Sequence, residues 1–152
     1  MIIDVKSENE MKVFGKKIGD LLSGGEIIEL VGDVGAGKTT LVKGIATGLD
    51  IKEYVQSPSF TINRLYNGRN NIKLAHYDFY RLNDAGVMAD ELIETINDSN
   101  IVTIIEWAGV IQGVLPTDIL TVKINTISEN SRQIEISAGG SKSQKLMENL
   151  KI

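Results

Sequence analysis

A chain of 152 residues, 42% hydrophobic and 24% charged, has the composition of a globular protein, long enough for one core and too short for a nucleotide domain plus a large second one. Sixteen basic against twenty acidic residues give a net charge of −4, which argues against tight direct binding of RNA or DNA, because Lys and Arg supply most nonspecific phosphate affinity. The absence of cysteine excludes disulfides, thiolate zinc sites and a cysteine nucleophile; with no signal-peptide layout and no membrane-spanning apolar run, the expectation is one cytoplasmic domain over 1–152.

In chain order, Ser7-Glu8-Asn9-Glu10 has the spacing of a capping box, in which Ser7 accepts from the N3 amide and Glu10 reaches back to the cap amide. A helix is predicted to start there. Met11, Phe14, Ile18, Leu21 and Leu22 form one apolar stripe, and Gly24-Gly25 are placed to end it. Glu26-Ile27-Ile28-Glu29-Leu30-Val31 is then short, apolar and β-branched, the pattern of a strand.

That strand feeds Gly32-Asp33-Val34-Gly35-Ala36-Gly37-Lys38-Thr39-Thr40, which satisfies the phosphate-loop pattern G-x-x-x-x-G-K-[ST] at every fixed position. Gly32, Gly35 and Gly37 lack a Cβ, so the chain can turn sharply and aim successive backbone N–H groups at one anion. Lys38 offers a mobile ammonium for the β and γ phosphates, Thr39 a hydroxyl for Mg²⁺, and the following helix the positive end of its dipole. Leu41, Val42, Ile45 and Leu49 recur at the spacing of that helix.

Beyond Gly48 the chain is polar and interrupted by Pro58, so Ser57-Pro58-Ser59-Phe60-Thr61 is read as a loop entering a strand at about 60–66. Ser57 and Thr61 carry hydroxyls suited either to sensing a γ phosphate, as switch loops do, or to capping a turn. Asn67-Gly68 signals a turn, and a returning strand at 72–77 completes a hairpin. His76 reads as a packed residue, because with no cysteine and no second histidine a zinc site lacks its usual ligands. Asp78, at that strand's end, is a candidate for orienting water or holding Mg²⁺ through water.

The segment 84–96 suggests a short irregular helix. Ile101-Val102-Thr103-Ile104-Ile105 is then the β-branched run of a strand buried on both faces, and it ends in Glu106-Trp107. An apolar strand terminating in an acid is the form of the second metal-side motif of phosphate-loop proteins, so Glu106 ranks ahead of Asp78 for that role. Alternating segments at 119–127 and 132–137 predict a second hairpin, and 141–150 a polar helical tail with some mobility. The expected fold class is a three-layer α/β domain with a mainly parallel central sheet and antiparallel additions from the two hairpins.

Four landmarks in this order, namely the phosphate loop, Ser57-Pro58-Ser59-Phe60-Thr61, His76-Tyr77-Asp78-Phe79-Tyr80-Arg81-Leu82 and Ile105-Glu106-Trp107, resemble the bacterial TsaE (YjeE) family. Ser59 stands where threonine is commoner in that family. The resemblance implies slow Mg²⁺-dependent ATP hydrolysis in tRNA threonylcarbamoyladenosine synthesis, with a TsaD-like transferase subunit and a TsaB-like paralogue as partners and tRNA contacted only through them. It implies that Lys38 and the amides of Asp33, Val34, Gly35, Ala36, Gly37, Lys38, Thr39 and Thr40 hold the phosphates of ATP. Thr39 and Glu106 stand as the magnesium-side residues, Asp78 as the orienter of attacking water, and Ser57 and Thr61 as the switch-like loop. Glu8 and Arg132 fall where the family approaches adenine and ribose. Read without the resemblance, the same residues also fit a small-molecule kinase or a non-catalytic nucleotide sensor. GTP is disfavoured because no Asn-Lys-x-Asp signature is present.

Overall fold

The β-branched run beginning at Ile101 lies in the buried interior of the sheet, between two parallel neighbours. In the computed structural model, which describes residues 1–58, 62–80, 86, 88–111 and 113–150, it forms strand β5 (Ile101–Glu106), and Val102, Thr103, Ile104, Ile105 and Glu106 are all buried. The other strands are β1 (Ile2–Val5), β2 (Ile27–Val31), β3 (Asn63–Asn67), β4 (Lys73–Asp78), β6 (Leu120–Thr126) and β7 (Arg132–Ala138). The helices are α1 (Glu8–Leu21), α2 (Lys38–Gly48), α3 (Met88–Ile96) and α4 (Ser141–Asn149).

Among the described residues one sheet contains seven strands in the order β1-β7-β6-β2-β5-β4-β3. The central four, β6, β2, β5 and β4, are mutually parallel, while β3 adds antiparallel at one edge and β7 and β1 at the other. This is the α/β class expected, with both hairpins in place. Period-2 alternation divides the core into two parts. Ile28, Leu30, Leu74, Val102, Ile104, Leu120, Val122 and Ile124 pack under α1, α2 and α4. Ile27, Ala75, Tyr77 and Ile105 pack on the other face with Leu92 of α3 and with Ala108 and Ile111 of a 3-10 turn. Among the described residues no helix is long and apolar enough to cross a membrane.

Several local expectations are corrected. Ser7 does cap α1, accepting from the Glu10 amide at 3.1 Å, but Glu10 turns back to the Lys6 amide at 2.8 Å and not to that of Ser7. Helix α1 stops at Leu21, ahead of Gly24 and Gly25, whose φ angles of +108° and +84° reverse the chain into β2. Asn67-Gly68 does not make the tight turn. The residues with positive φ are Asn70 and Asn71, whose side chains tolerate the left-handed region, and Gly68 is required because a Cβ there would lie 2.8 Å from the Leu49 carbonyl oxygen. Strand β3 begins only at Asn63, after Ile62 at φ +71°, and residues 59–61 lie outside the described set. The C-terminal segment is helical as expected, forming α4, and Leu146 and Leu150 are buried in the main core. Asp118 caps it, accepting from the Lys142 and Ser143 amides and from the Ser143 hydroxyl; that hydroxyl above all holds its carboxyl below the usual carboxylate range.

Helices α1 and α2 cross backbone to backbone. A Cβ on Gly15, Gly19, Gly44 or Gly48 would lie between 2.2 and 2.5 Å from a carbonyl oxygen of the facing helix. Where both helices end, Arg69 finishes them. Its Nη1 donates to Gly48 O, and its Nη2 lies within hydrogen-bond distance of Gly19 O, Asp20 O and Leu22 O. One guanidinium thus satisfies orphan carbonyls of two helix C-termini and adds a cation where both dipoles are negative. Arg69→Ala is expected to cost about 2 kcal/mol, the scale of charge-assisted hydrogen bonds, measured by urea unfolding. Arg69→Lys should recover less than half of the loss, because an ammonium lacks the planar fork.

Candidate functional site at the phosphate loop

Strands β2, β5 and β4 run parallel, so their C-terminal ends meet at one edge of the sheet, the position where open α/β sheets bind ligands. Strand β2 leads directly into the phosphate loop. Gly35 and Gly37 sit at φ +83° and +107°, and Gly32 is confined by Ile124 O, 3.0 Å from where its Cβ would lie. A hydrogen bond from Ala36 N to Asp33 O, 3.0 Å, closes the turn. No side chain caps the start of α2 at Gly37, so its first amides face the loop with the dipole behind them, an arrangement that favours an anion. Asp33, Val34 and Gly35 are exposed, whereas Thr39 and Thr40 are half-buried.

Lys38 is buried, and its ammonium stands among three groups. Nζ donates to Gly32 O, lies 3.9 Å from Glu106 Oε1, and sits 4.5 Å from the ring centroid of Trp107. Glu106 is also buried, and its second oxygen, Oε2, is 2.5 Å from His76 Nε2. Asp78 stands opposite Glu106 in the β4–β5 register; its Oδ1 accepts from the Tyr80 amide at 3.0 Å. The alternation that sends Leu74 and Ile104 into the α1/α2 core places His76, Asp78 and Glu106 on that same face, toward the loop and α2. The β4 and β5 ends are tied by Phe79 N donating to Glu106 O at 3.1 Å.

Trp107 follows at φ +59°, a left-handed conformation that is unusual for a bulky side chain and stores strain of about 1–2 kcal/mol. Trp107 remains 36% exposed, and its ring packs on Tyr80 at 4.8 Å between centroids. On the opposite face of β4, the Tyr77 hydroxyl bonds Thr95 Oγ1 at 3.0 Å, and burial above all pushes its phenol pKa up.

Glu8 and Arg132 lie across the loop. Together with Ser7, Met11, Gly35 and Thr40 they line a pocket of about 200 Å³. Arg132 is committed largely to the backbone: Nε donates to Ala36 O at 2.9 Å, Nη1 to Ser128 O at 2.8 Å, and Nη2 is 3.4 Å from Gly35 O. It clamps the phosphate loop to the β6–β7 turn. Ser57 is exposed at the end of the segment before β3, and Thr61 lies outside the described residues. That segment returns to the site through Ile62, whose amide bonds Pro58 O and whose carbonyl accepts from Asp78 N at 2.8 Å. A second and larger cleft, about 560 Å³, flanks Gly32 and Asp33 on the other side, lined by Glu29, Val31, Trp107, Lys123 and Asn125.

The structure thus gathers Lys38, Asp78 and Glu106 at one edge of the sheet, with Glu8 and Arg132 on the far side of the loop. Two contacts were not anticipated: the His76–Glu106 pair and the Arg132 clamp. The first had a signal, since His76 and Asp78 are two residues apart on a strand and must share a face. The second joins residues 36 and 132 and has none. Among the described residues no group of three or more His, Cys, Asp or Glu side chains is arranged to hold a metal ion. Mg²⁺ needs none, because it takes one or two protein oxygens and completes its shell with phosphate and water oxygens; Thr39 and Glu106 offer that donor set beside the loop.

Comparison with known proteins adds a second line of observation. The family described as "Threonylcarbamoyl adenosine biosynthesis protein TsaE" matches residues 5–134. The tRNA threonylcarbamoyladenosine biosynthesis protein TsaE of Bacillus subtilis (strain 168) is 36% identical over 141 residues, 93% of this chain and 87% of that protein. The protein of the same name from Treponema pallidum (strain Nichols) is 33% identical over 132 residues, 87% of this chain and 96% of that one. Its counterpart from Nostoc sp. is 40% identical over 130 residues, 81% and 76% of the two chains. The crystal structure of Bacillus subtilis YdiB is similar throughout, with a TM-score of 0.82 at 32% identity over 99% of this chain and 93% of that one.

Proposed function

The chain belongs to the TsaE family, and we propose that it is the Mg²⁺-dependent ATPase of tRNA N6-threonylcarbamoyladenosine synthesis, acting on a TsaD-like transferase subunit and its TsaB-like paralogue. One observation supports hydrolysis over simple binding. Two buried carboxylates, Asp78 and Glu106, stand opposite each other at the strand ends, with Lys38 Nζ 3.9 Å from Glu106.

In this reading the loop amides and Lys38 would hold the β and γ phosphates, and the Thr39 hydroxyl and Glu106 carboxylate would hold Mg²⁺, which when bound would supply Lewis-acid charge neutralisation. Asp78 orients a water whose oxygen bonds to the γ phosphorus as the bridging oxygen–γ phosphorus bond breaks. ADP leaves with the bridging electron pair, and the water proton passes to Asp78 and from there to solvent or phosphate. Arg132 keeps the loop carbonyls turned away from the anion. The acidic net charge of −4 agrees with a role in which partners, not this chain, grip the tRNA.

The test is phosphate release from Mg-ATP by this protein alone and with purified TsaB and TsaD. Release that rises on adding both partners is the expected result. Transfer of the γ phosphate to a metabolite would establish a kinase instead, and nucleotide binding with no turnover under either condition would leave a sensor.

A further inference from the structure

His76 has no part in the chemistry just described, yet it is wholly buried and touches the metal-side acid. We infer that His76 is a positioning residue that pins one oxygen of Glu106, so that only Oε1 is presented to the phosphate loop. The inference rests on the proposed role of Glu106 and deepens it.

In the parallel β4–β5 pair His76 stands opposite Ile104, and Asp78 opposite Glu106. The Glu106 side chain therefore reaches diagonally back along the sheet, past its own register partner, to bring Oε2 2.5 Å from His76 Nε2. Both residues are buried, His76 completely. The imidazole's other nitrogen, Nδ1, has no hydrogen-bond partner among the described residues. A proton on Nδ1 would be a buried donor with no acceptor, so the tautomer that satisfies the pair carries its proton on Nε2 and donates it to Oε2. Glu106 is left with Oε1, which lies 3.9 Å from Lys38 Nζ, at the base of the loop.

The chemical consequence concerns how a carboxylate meets a small, hard cation. Mg²⁺ demands near-octahedral geometry with short bonds and is poorly served by a carboxylate free to swing or to bind through both oxygens. With Oε2 held by an imidazole, Glu106 offers one oxygen in a fixed direction. This is the role that hydrogen-bond partners of ligating groups play at metal sites, where their removal typically lowers metal affinity 10- to 100-fold. A histidine that merely filled the core would show no such selectivity. Its loss would lower thermal stability and weaken metal-free and metal-bound nucleotide alike.

The experiment measures the Kd of ADP by calorimetry in EDTA and in saturating Mg²⁺, taking their ratio as the metal coupling, for wild type, His76→Leu, His76→Asn and His76→Gln. A glutamine amide nitrogen lies about where Nε2 does, whereas that of asparagine stops short. The expected result is a coupling roughly 10- to 100-fold smaller in the Leu and Asn variants, with the EDTA affinity unchanged and most of the coupling restored by Gln. Wild-type coupling in His76→Asn, or a Gln variant no better than Asn, overturns the inference. If His76→Leu does not fold, the Gln and Asn pair decides alone. A wild type with no coupling at all removes the metal reading itself, and the role of His76 falls with it.

Discussion

Lys38→Ala is expected to lower ATP hydrolysis by roughly 10²- to 10³-fold, the scale for losing one donor aimed at developing negative charge. Lys38 is positioned for this by its three contacts, with Gly32 O, Glu106 Oε1 and the Trp107 ring, which keep the ammonium at the base of the loop and within a side-chain rotation of an anion seated on the amides. Negative charge on the γ oxygens and the leaving oxygen changes most at the transition state, so the loss should fall on kcat more than on KM. The same substitution removes the cation beside buried Glu106, and Lys38→Met, which keeps the stem packed, separates that packing effect from the charge. Steady-state phosphate release with partners present is the measurement, with circular dichroism confirming a folded protein. A kcat within about threefold of wild type would remove Lys38 from the phosphate site.

Gly19→Ala is expected to destabilise the protein by roughly 3 kcal/mol, the upper range for forcing a methyl into a filled space. The sign is the informative part. In an exposed helix the same change stabilises by about 1 kcal/mol, because alanine loses less backbone entropy than glycine. Here the new Cβ would lie 2.2 Å from Ile45 O and 2.9 Å from Gly48 Cα, both backbone atoms of α2, so the helices must separate. Since α2 begins at Lys38, separation also moves the phosphate-loop end of that helix. The companion Gly48→Ala meets the Lys16 carbonyl and the Asp20 amide in the same seam. Once one methyl has pushed the helices apart the second costs less, so the double variant should lose less stability than the two singles summed. Urea unfolding checks both statements; a stabilised Gly19→Ala would overturn the packing argument.

The parts of this protein that were legible in its sequence are those in which the controlling interactions are local. Strand β2, its loop and α2 are specified by consecutive residues: an apolar β-branched run, glycines where φ must be positive, then apolar residues at helical spacing. Strand β5 reads out of Ile101-Val102-Thr103-Ile104-Ile105 because burial on both faces removes polar alternation. Strand β1 did not declare itself. Its four residues acquire strand conformation only by pairing with β7, as Ile3 opposite Ile134 and Val5 opposite Arg132 show. The Asn67-Gly68 reading failed for a similar reason, since Gly68 answers to Leu49 in another element and the chain reverses at Asn70 and Asn71. At the site, residue types pointed to Lys38, Asp78 and Glu106, but the contacts around them came from far away in the chain, Arg132 on Ala36 and His76 on Glu106; away from the site, Arg69 across two helix ends is the same case. A guanidinium's targets are carbonyls, which every residue has, so its position in sequence says little about where it will bind.

The strand order also fixes when, during synthesis, a working loop can first exist. Strand β2, which ends at Val31, finds its sheet neighbours only in β5, beginning at Ile101, and β6, ending at Thr126. A ribosome that has released the phosphate loop has therefore released an apolar strand with neither flank available, and loop-closure entropy opposes its docking until most of the chain has emerged. Strand β1 waits longer still, for β7. Until β5 and β6 have been made, Ile27-Ile28-Glu29-Leu30-Val31 has no strand of the native sheet to pair with, so the loop it feeds acquires its support late in synthesis.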